Sequence, residues 1–149
     1  LNVSTTEVKG VSRFTIVVSS TKEKIIKVVN HINKLIEVLG AFLYEEDEIY
    51  YQEIALYKLS TKIFLKGDLI EKIIIRKYGA KILKIEKDHT IIQKTGTKVG
   101  TQKLYDELKK FGEILEFARS GRVALSKKKR KTINFLRTLE KTKSNKLNI

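Results

Sequence analysis

Cysteine, proline, methionine and tryptophan are all missing from this 149-residue chain. Without Cys there is no disulfide, no thiol nucleophile and no thiolate metal ligand, a composition compatible with a reducing, intracellular compartment. Without Met, even at position 1, a chain opening Leu1-Asn2-Val3-Ser4 is expected to be a fragment or processed product, any targeting segment lying upstream. No apolar run approaches the roughly 18–20 residues that cross a bilayer, so no membrane partner is expected.

What is present bounds the fold. A chain of 149 residues that is 42% hydrophobic and 32% charged suits one ordinary domain or two very small ones with a real core. Lys and Ile far outnumber Arg (25 and 19 against 6), a usage that AT-rich codons produce, pointing to an AT-rich bacterium or an organelle genome. The net charge of +14 is unevenly spread. Residues 119–149 carry 11 Lys and Arg against one acid, whereas residues 1–118 carry 20 against 16. The body is nearly balanced and most of the excess is a tail.

Phe14-Thr15-Ile16-Val17-Val18 alternates as a half-buried strand does, with Phe14, Ile16 and Val18 on one face. Ser19-Ser20-Thr21 offers N-cap chemistry to a helix whose apolar stripe is Ile25, Val28, Val29, Ile32, Leu35, Ile36 and Leu39. Gly40 suits a left-handed C-terminal cap, after which Ala41–Tyr44 reads as a returning strand. Leu1–Thr6 forms a further strand, turned through Lys9-Gly10. Beyond the acidic run Glu45–Glu48 the chain restarts. Glu53–Ser60 reads as a strand, and Asp68 with Glu71 as a capping box opening a helix that Gly79 closes. Lys81–Ile85 and Thr90–Gln93 read as strands around Lys87-Asp88-His89. A helix from Thr97 or Thr101 carries Leu104, Leu108 and Phe111 to Gly112, and Ile114–Phe117 is a last strand.

Residues 53–118 therefore read β-α-β-β-α-β, a split βαβ sandwich with both helices on one face of the sheet. Residues 1–44 read β-β-α-β, the same unit without its first strand and helix. The expected class is α+β, with two ferredoxin-like units of which the first is truncated. Units of about 60 residues are marginal alone and leave sheet edges unpaired, which predicts an oligomer.

No constellation carries catalysis. Glu45–Glu48 with Glu53 lacks the internal Gly and terminal Glu of a calcium loop and reads as a solvated linker. His31 and His89 have no metal-ligand spacing, and no nucleophile elbow or triad can be assembled. Gly96-Thr97-Lys98-Val99-Gly100-Thr101 has one residue too few between its glycines for a phosphate loop and no Lys after the second. Lys127-Lys128-Lys129-Arg130-Lys131 could attract nucleic acid. The central strands carry no base-stacking aromatic motif, however, and a basic tail continuing into an amphipathic helix (Ile133, Leu136, Leu139) is the preferred reading. No catalytic, cofactor-binding or metal-binding residue is assigned.

Several pieces in register resemble one family. They are Leu1-Asn2-Val3, Ser12–Val18, Asn33–Leu39, Glu53–Leu59 and Arg119-Ser120-Gly121-Arg122-Val123-Ala124-Leu125. Over roughly residues 1–126 the chain resembles the small, regulatory subunit of acetolactate synthase (acetohydroxyacid synthase). The resemblance implies a partial ACT domain over 1–46, a ferredoxin-like domain over 53–126 and a basic tail over 127–149. That tail is longer and more basic than the family pattern, and Tyr50-Tyr51-Gln52 is atypical of the linker.

The resemblance further implies a non-catalytic subunit that activates a large subunit and confers feedback inhibition by valine. The large subunit would hold thiamine diphosphate, Mg²⁺ and FAD, and condense two pyruvates to acetolactate in branched-chain amino-acid synthesis. Homodimers through ACT domains would bind the effector. The family's effector loop and its Asn would precede Leu1, so no effector residue is assigned and the chain as written is expected to lack a competent valine pocket. Arg119, Ser120, Gly121 and Arg122 are the candidates for contact with the large subunit. The implied location is an algal plastid or a bacterial cytoplasm. A basic α/β nucleic-acid-binding module is the alternative.

Overall fold

A computed structural model describes residues 1–129 and 132–147. The chain forms two compact units, one of Leu1–Tyr50 with Ala124–Ile149 and one of Tyr51–Val123. Residues 124–149 group with the first unit.

The second unit is built on β3 (Ile49–Ser60), β4 (Lys81–Ile85), β5 (His89–Gly96) and β6 (Ile114–Arg119). Their order in the sheet is β4-β5-β3-β6 with every pair antiparallel, as a split βαβ sandwich requires. Alternation on β3 turns Ala55, Tyr57 and Leu59 inward, and the register sets Tyr57 opposite Ile92 and Phe117. Ile70 and Ile74 come from the first helical segment; Leu104 and Leu108 come from α3 (Lys98–Phe111). Every fully buried hydrophobic side chain among the described residues lies between Ala55 and Leu108.

Thr97 is the N-cap of α3, its Oγ1 accepting from Gly100 N–H at 3.2 Å, which is what the sequence offered as one of two starts. The helix after Asp68 differs from expectation. Asp68 makes no side-chain cap hydrogen bond, and only Leu69–Lys72 (α2) is α-helical before the backbone widens into a π-turn over Ile73–Lys77. Ile70 and Ile74, four residues apart and so on one helical face, both turn inward. Gly79 closes the segment at φ +61, with open space where a Cβ would stand. Gly79→Ala therefore adds backbone strain without a clash, and about 1 kcal/mol should be lost in denaturant titration.

The segment is tied to α3 through Glu107, whose carboxylate accepts from the Tyr78 hydroxyl at 3.1 Å and from Lys77 Nζ at 3.4 Å. The Tyr78 hydrogen bond and the Lys77 ammonium hold the Glu107 carboxyl below its ordinary range. The tie is thus complete above the unfolded carboxylate pKa of about 4.3 and is lost as pH falls through the lower folded value.

In the first unit β1 (Asn2–Thr5) and β2 (Ser12–Thr15) pair antiparallel from Asn2↔Thr15 to Thr5↔Ser12, turned by Gly10 at φ +81. The expected strand through Val18 stops at Thr15, where the ladder ends, and Ile16–Val18 stay exposed. Helix α1 (Lys22–Ile32) stops seven residues short of Leu39. The Asn33 side chain explains this: its Oδ1 accepts from Ala41 N–H at 2.7 Å and its Nδ2 donates to Ala41 O at 3.1 Å. Asn held by a distant backbone pair competes with helix continuation, and the next turn tightens to i–3 bonds from Lys34 and Leu35.

Gly40 is not a left-handed cap, since its φ is not positive. A Cβ there would stand 2.8 Å from Phe135 Cζ, so it is close approach that requires glycine. Residues 41–45 form no strand. The acidic run is a 3₁₀ turn (Glu46–Glu48) with its own capping box: Glu48 Oε2 accepts from Glu45 N–H at 2.9 Å. One element escaped the sequence reading: β7 (Val123–Ser126) pairs with β3. The helix expected in the tail is α4 (Thr132–Leu147). Arg130, Lys131 and the side chain of Ile133 lie outside the described residues.

Candidate functional site

The turn from Arg119 to Arg122 is organised by a carboxylate in the core. Glu53 continues the inward row of Ala55, Tyr57 and Leu59 and is only 5% exposed. A buried carboxylate needs compensation. Thr101 on α3 donates its hydroxyl to Glu53 Oε1 at 2.8 Å, and Arg119 at the end of β6 brings Nη1 to 3.7 Å from the same oxygen.

Tyr57, fully buried, donates its hydroxyl to Thr101 O at 2.6 Å. Burial pushes that phenol above its ordinary pKa, so it stays a neutral donor. Phe117 lies against Tyr57 and Tyr105, ring centroids 5.0 and 4.8 Å away, and the Arg119 guanidinium stands 5.5 Å from the Phe117 ring. The Arg119 guanidinium thus stands between the Glu53 carboxylate and the Phe117 ring.

Past Arg119 the chain adds one more rung to the sheet. Ser120 N–H donates to Ile54 O at 2.9 Å, and the Ser120 hydroxyl accepts from Ile54 N–H at 3.0 Å. The Ser side chain supplies the acceptor that a continuing strand's carbonyl would give. Gly121 then turns at φ +79, where a Cβ is disfavoured. Arg122 lays its guanidinium 4.0 Å from the centre of the Tyr51 ring. Of the four sequence candidates, Arg119 therefore points inward, Ser120 and Gly121 shape the turn, and Arg122 with Tyr51 forms the outward, half-buried end.

Tyr51, Thr101 and Tyr57 were missed as members of this set. The alternation Glu53-Ala55-Tyr57-Leu59 already placed a carboxylate on the buried face and so called for a cation; Tyr51 gave no signal beyond its oddity. The acidic residues weighed as a metal site are separated in kind, with Glu48 capping its own turn and Glu53 bound to Thr101 and Arg119. Among the described residues no group of three or more His, Asp or Glu could hold a metal ion. His31 Nδ1 lies 3.0 Å from Lys27 O on its own helix, and His89 Nδ1 lies 2.8 Å from Asp88 Oδ1. No described helix is long and apolar enough to cross a membrane.

A two-unit protein with a ferredoxin-like sheet and an Arg-Ser-Gly-Arg turn is what these observations define. Residues 52–128 match the family model described as the small subunit of acetolactate synthase. The chain is 34% identical over 127 residues to the acetolactate synthase small subunit of Mycolicibacterium smegmatis, covering 85% of this chain and 73% of that one. It is 31% identical over 125 residues to the probable acetolactate synthase small subunit of Archaeoglobus fulgidus (84% and 76% covered). It is 32% identical over 126 residues to a chloroplastic small subunit 2 of Arabidopsis thaliana (84% and 26% covered). In fold it is similar to the crystal structure of the small subunit from Thermotoga maritima, with a TM-score of 0.73 at 23% identity over 87% of this chain and 79% of that one.

The chain belongs to the family of acetolactate synthase small subunits. Its part is that of the regulatory, non-catalytic subunit of the enzyme that opens branched-chain amino-acid synthesis. Nothing in the comparisons favours the nucleic-acid-binding alternative.

Proposed function

We propose that this subunit binds the acetolactate synthase large subunit, raises its rate of acetolactate formation and confers feedback inhibition by valine. The family match over residues 52–128 carries this reading. In it the large subunit holds thiamine diphosphate, Mg²⁺ and FAD, the first units pair as an ACT homodimer, and valine binding to that pair selects the less active arrangement of the holoenzyme. The Arg119–Arg122 turn is the large-subunit contact, with Arg122 and Tyr51 as its face. Arg119 acts through Glu53, as a positioning residue. The setting is a plastid or a bacterial cytoplasm.

The test is reconstitution of the large subunit with the full-length small subunit, effector loop included. Acetolactate formation should rise on addition of the chain, and valine should lower it in the mixture while leaving the large subunit alone untouched. An unchanged rate and no valine response would refute the reading. Arg122→Ala should raise the concentration of chain needed for half-maximal stimulation about tenfold, as loss of a half-buried interface Arg does. The second unit's unfolding curve should stay where it was.

A further inference from the structure

The sheet of the second unit has two faces, and the helices take one. Ala55, Tyr57 and Leu59 are buried there with Ile70, Ile74, Leu104 and Leu108. The alternate residues of β3, Ile54, Leu56 and Lys58, turn the other way, and Ile54 and Leu56 are exposed. The register sets Leu56 between Gln93 and Ala118, and Lys58 between Ile91 and Glu116.

Both edge strands carry a bulge at that second level. On β4 the register passes from Ile82 to Lys84 across Leu83, so Leu83 and Lys84 together oppose Ile91. On β6 the extra residue is Leu115, which with Glu116 opposes Lys58. Neither leucine belongs to the core: Leu83 is 52% exposed and Leu115 49%. Bulges blunt both edges against the addition of another strand. The same bulges widen the apolar outer face by one leucine on each side. Self-association of this unit therefore goes through the face rather than through an edge.

Charge on the face is divided between its two sides. β4 brings Lys81, opposite Gln93, and Lys84, which also reaches Glu86 at 2.6 Å. β6 brings Glu116, 3.7 Å from Lys58. A two-fold axis across the strands would lay β4 on its own copy and set lysines against lysines. An axis along the strands lays β4 of one copy on β6 of the other. Lys84 then meets Glu116 and Leu83 meets Leu115, each pair occurring twice. The face is complementary to itself in that orientation.

We propose that a second copy of the chain covers this outer face, the two sheets stacked about a two-fold axis parallel to their strands. The contact is additional to the pairing of first units and uses neither Arg122 nor Tyr51.

Cross-linking tests this without the large subunit. The 149 residues hold no Cys, so introduced thiols react alone. With Leu83→Cys and Leu115→Cys in one chain, a short bis-maleimide should bridge the ~10 Å between stacked sheets and give a covalent dimer. Either single variant should give about tenfold less, because its two thiols are offset sideways by three strand spacings, roughly 14 Å. Leu56→Arg should cut the yield of the double variant about tenfold, an unchanged urea transition showing that the unit has folded. Glu116→Lys should weaken the cross-link, and Lys84→Glu in the same chain should restore it. No covalent dimer from the double variant, or as much from Leu83→Cys alone, would overturn the proposal. So would loss of the cross-link in the full-length small subunit, where upstream residues would then cover the face. If Leu56→Arg spares the cross-link but abolishes stimulation, the face belongs to the large subunit and not to a second copy. Stimulation is measured separately, so failure of one reading leaves the other standing.

Discussion

Glu53→Ala should lower the unfolding free energy of the second unit by about 3 kcal/mol, the range found when one partner of a buried ion pair is removed. Urea titration of the full chain followed by circular dichroism reads it. The loss arises less from the missing attraction than from what remains. Arg119 keeps its charge beside the Phe117 ring, and the Thr101 hydroxyl is left with its longer bond to Lys98 O at 3.1 Å. Glu53→Gln should cost less, because the amide oxygen still accepts from Thr101. The combination Glu53→Ala with Arg119→Met should recover part of the loss, since no charge is then left uncompensated. If Glu53→Ala costs the same with Arg119 or Met at position 119, the pair is not coupled and the carboxylate serves some other partner.

Leu104→Ala should cost about 3–4 kcal/mol in the same titration, within the range for emptying a closed site in a packed core. Leu104 is 0% exposed on the inner face of α3, in a cluster with Leu108, Tyr57 and Ile92. These neighbours belong to a helix and two paired strands, and such elements collapse only partly into a void. Val99→Ala, on the same helix but 62% exposed, is the control and should stay within about 0.5 kcal/mol. Equal losses at 99 and 104 would mean that α3 does not turn this face to the sheet.

The second unit was legible in the sequence because its signals are local and agree with one another. Glu53–Ser60 read as a strand; the helical run carried Leu104 and Leu108; Thr97 and Gly79 marked a start and a stop. Lys81–Ile85 came out with its bounds intact. The first unit was read less well because its boundaries are set at long range. Periodicity carried α1 to Leu39, but Asn33 is bound to Ala41 and ends it at Ile32. Gly40 has the residue type of a cap and the role of a clearance for Phe135, a residue 95 positions away. The Arg119–Arg122 motif was visible as a motif, yet its division into an inward Arg119 and an outward Arg122 depends on Glu53, Phe117 and Tyr51. No window along the chain contains that set.

The edge-on pair of Phe42 and Phe135 joins residues 93 positions apart, and this bears on the order of events during synthesis. The buried cluster needs nothing beyond Leu108 for its side chains and Arg119 for its last paired strand. The second unit can therefore close while the chain is still growing. Phe42 leaves the ribosome well before Phe135 and can meet it only after the residues of the second unit have followed. Contacts of such long sequence separation form slowly. The segment around Phe42 thus matures after the second unit has closed, and during that interval it is open to proteases and chaperones.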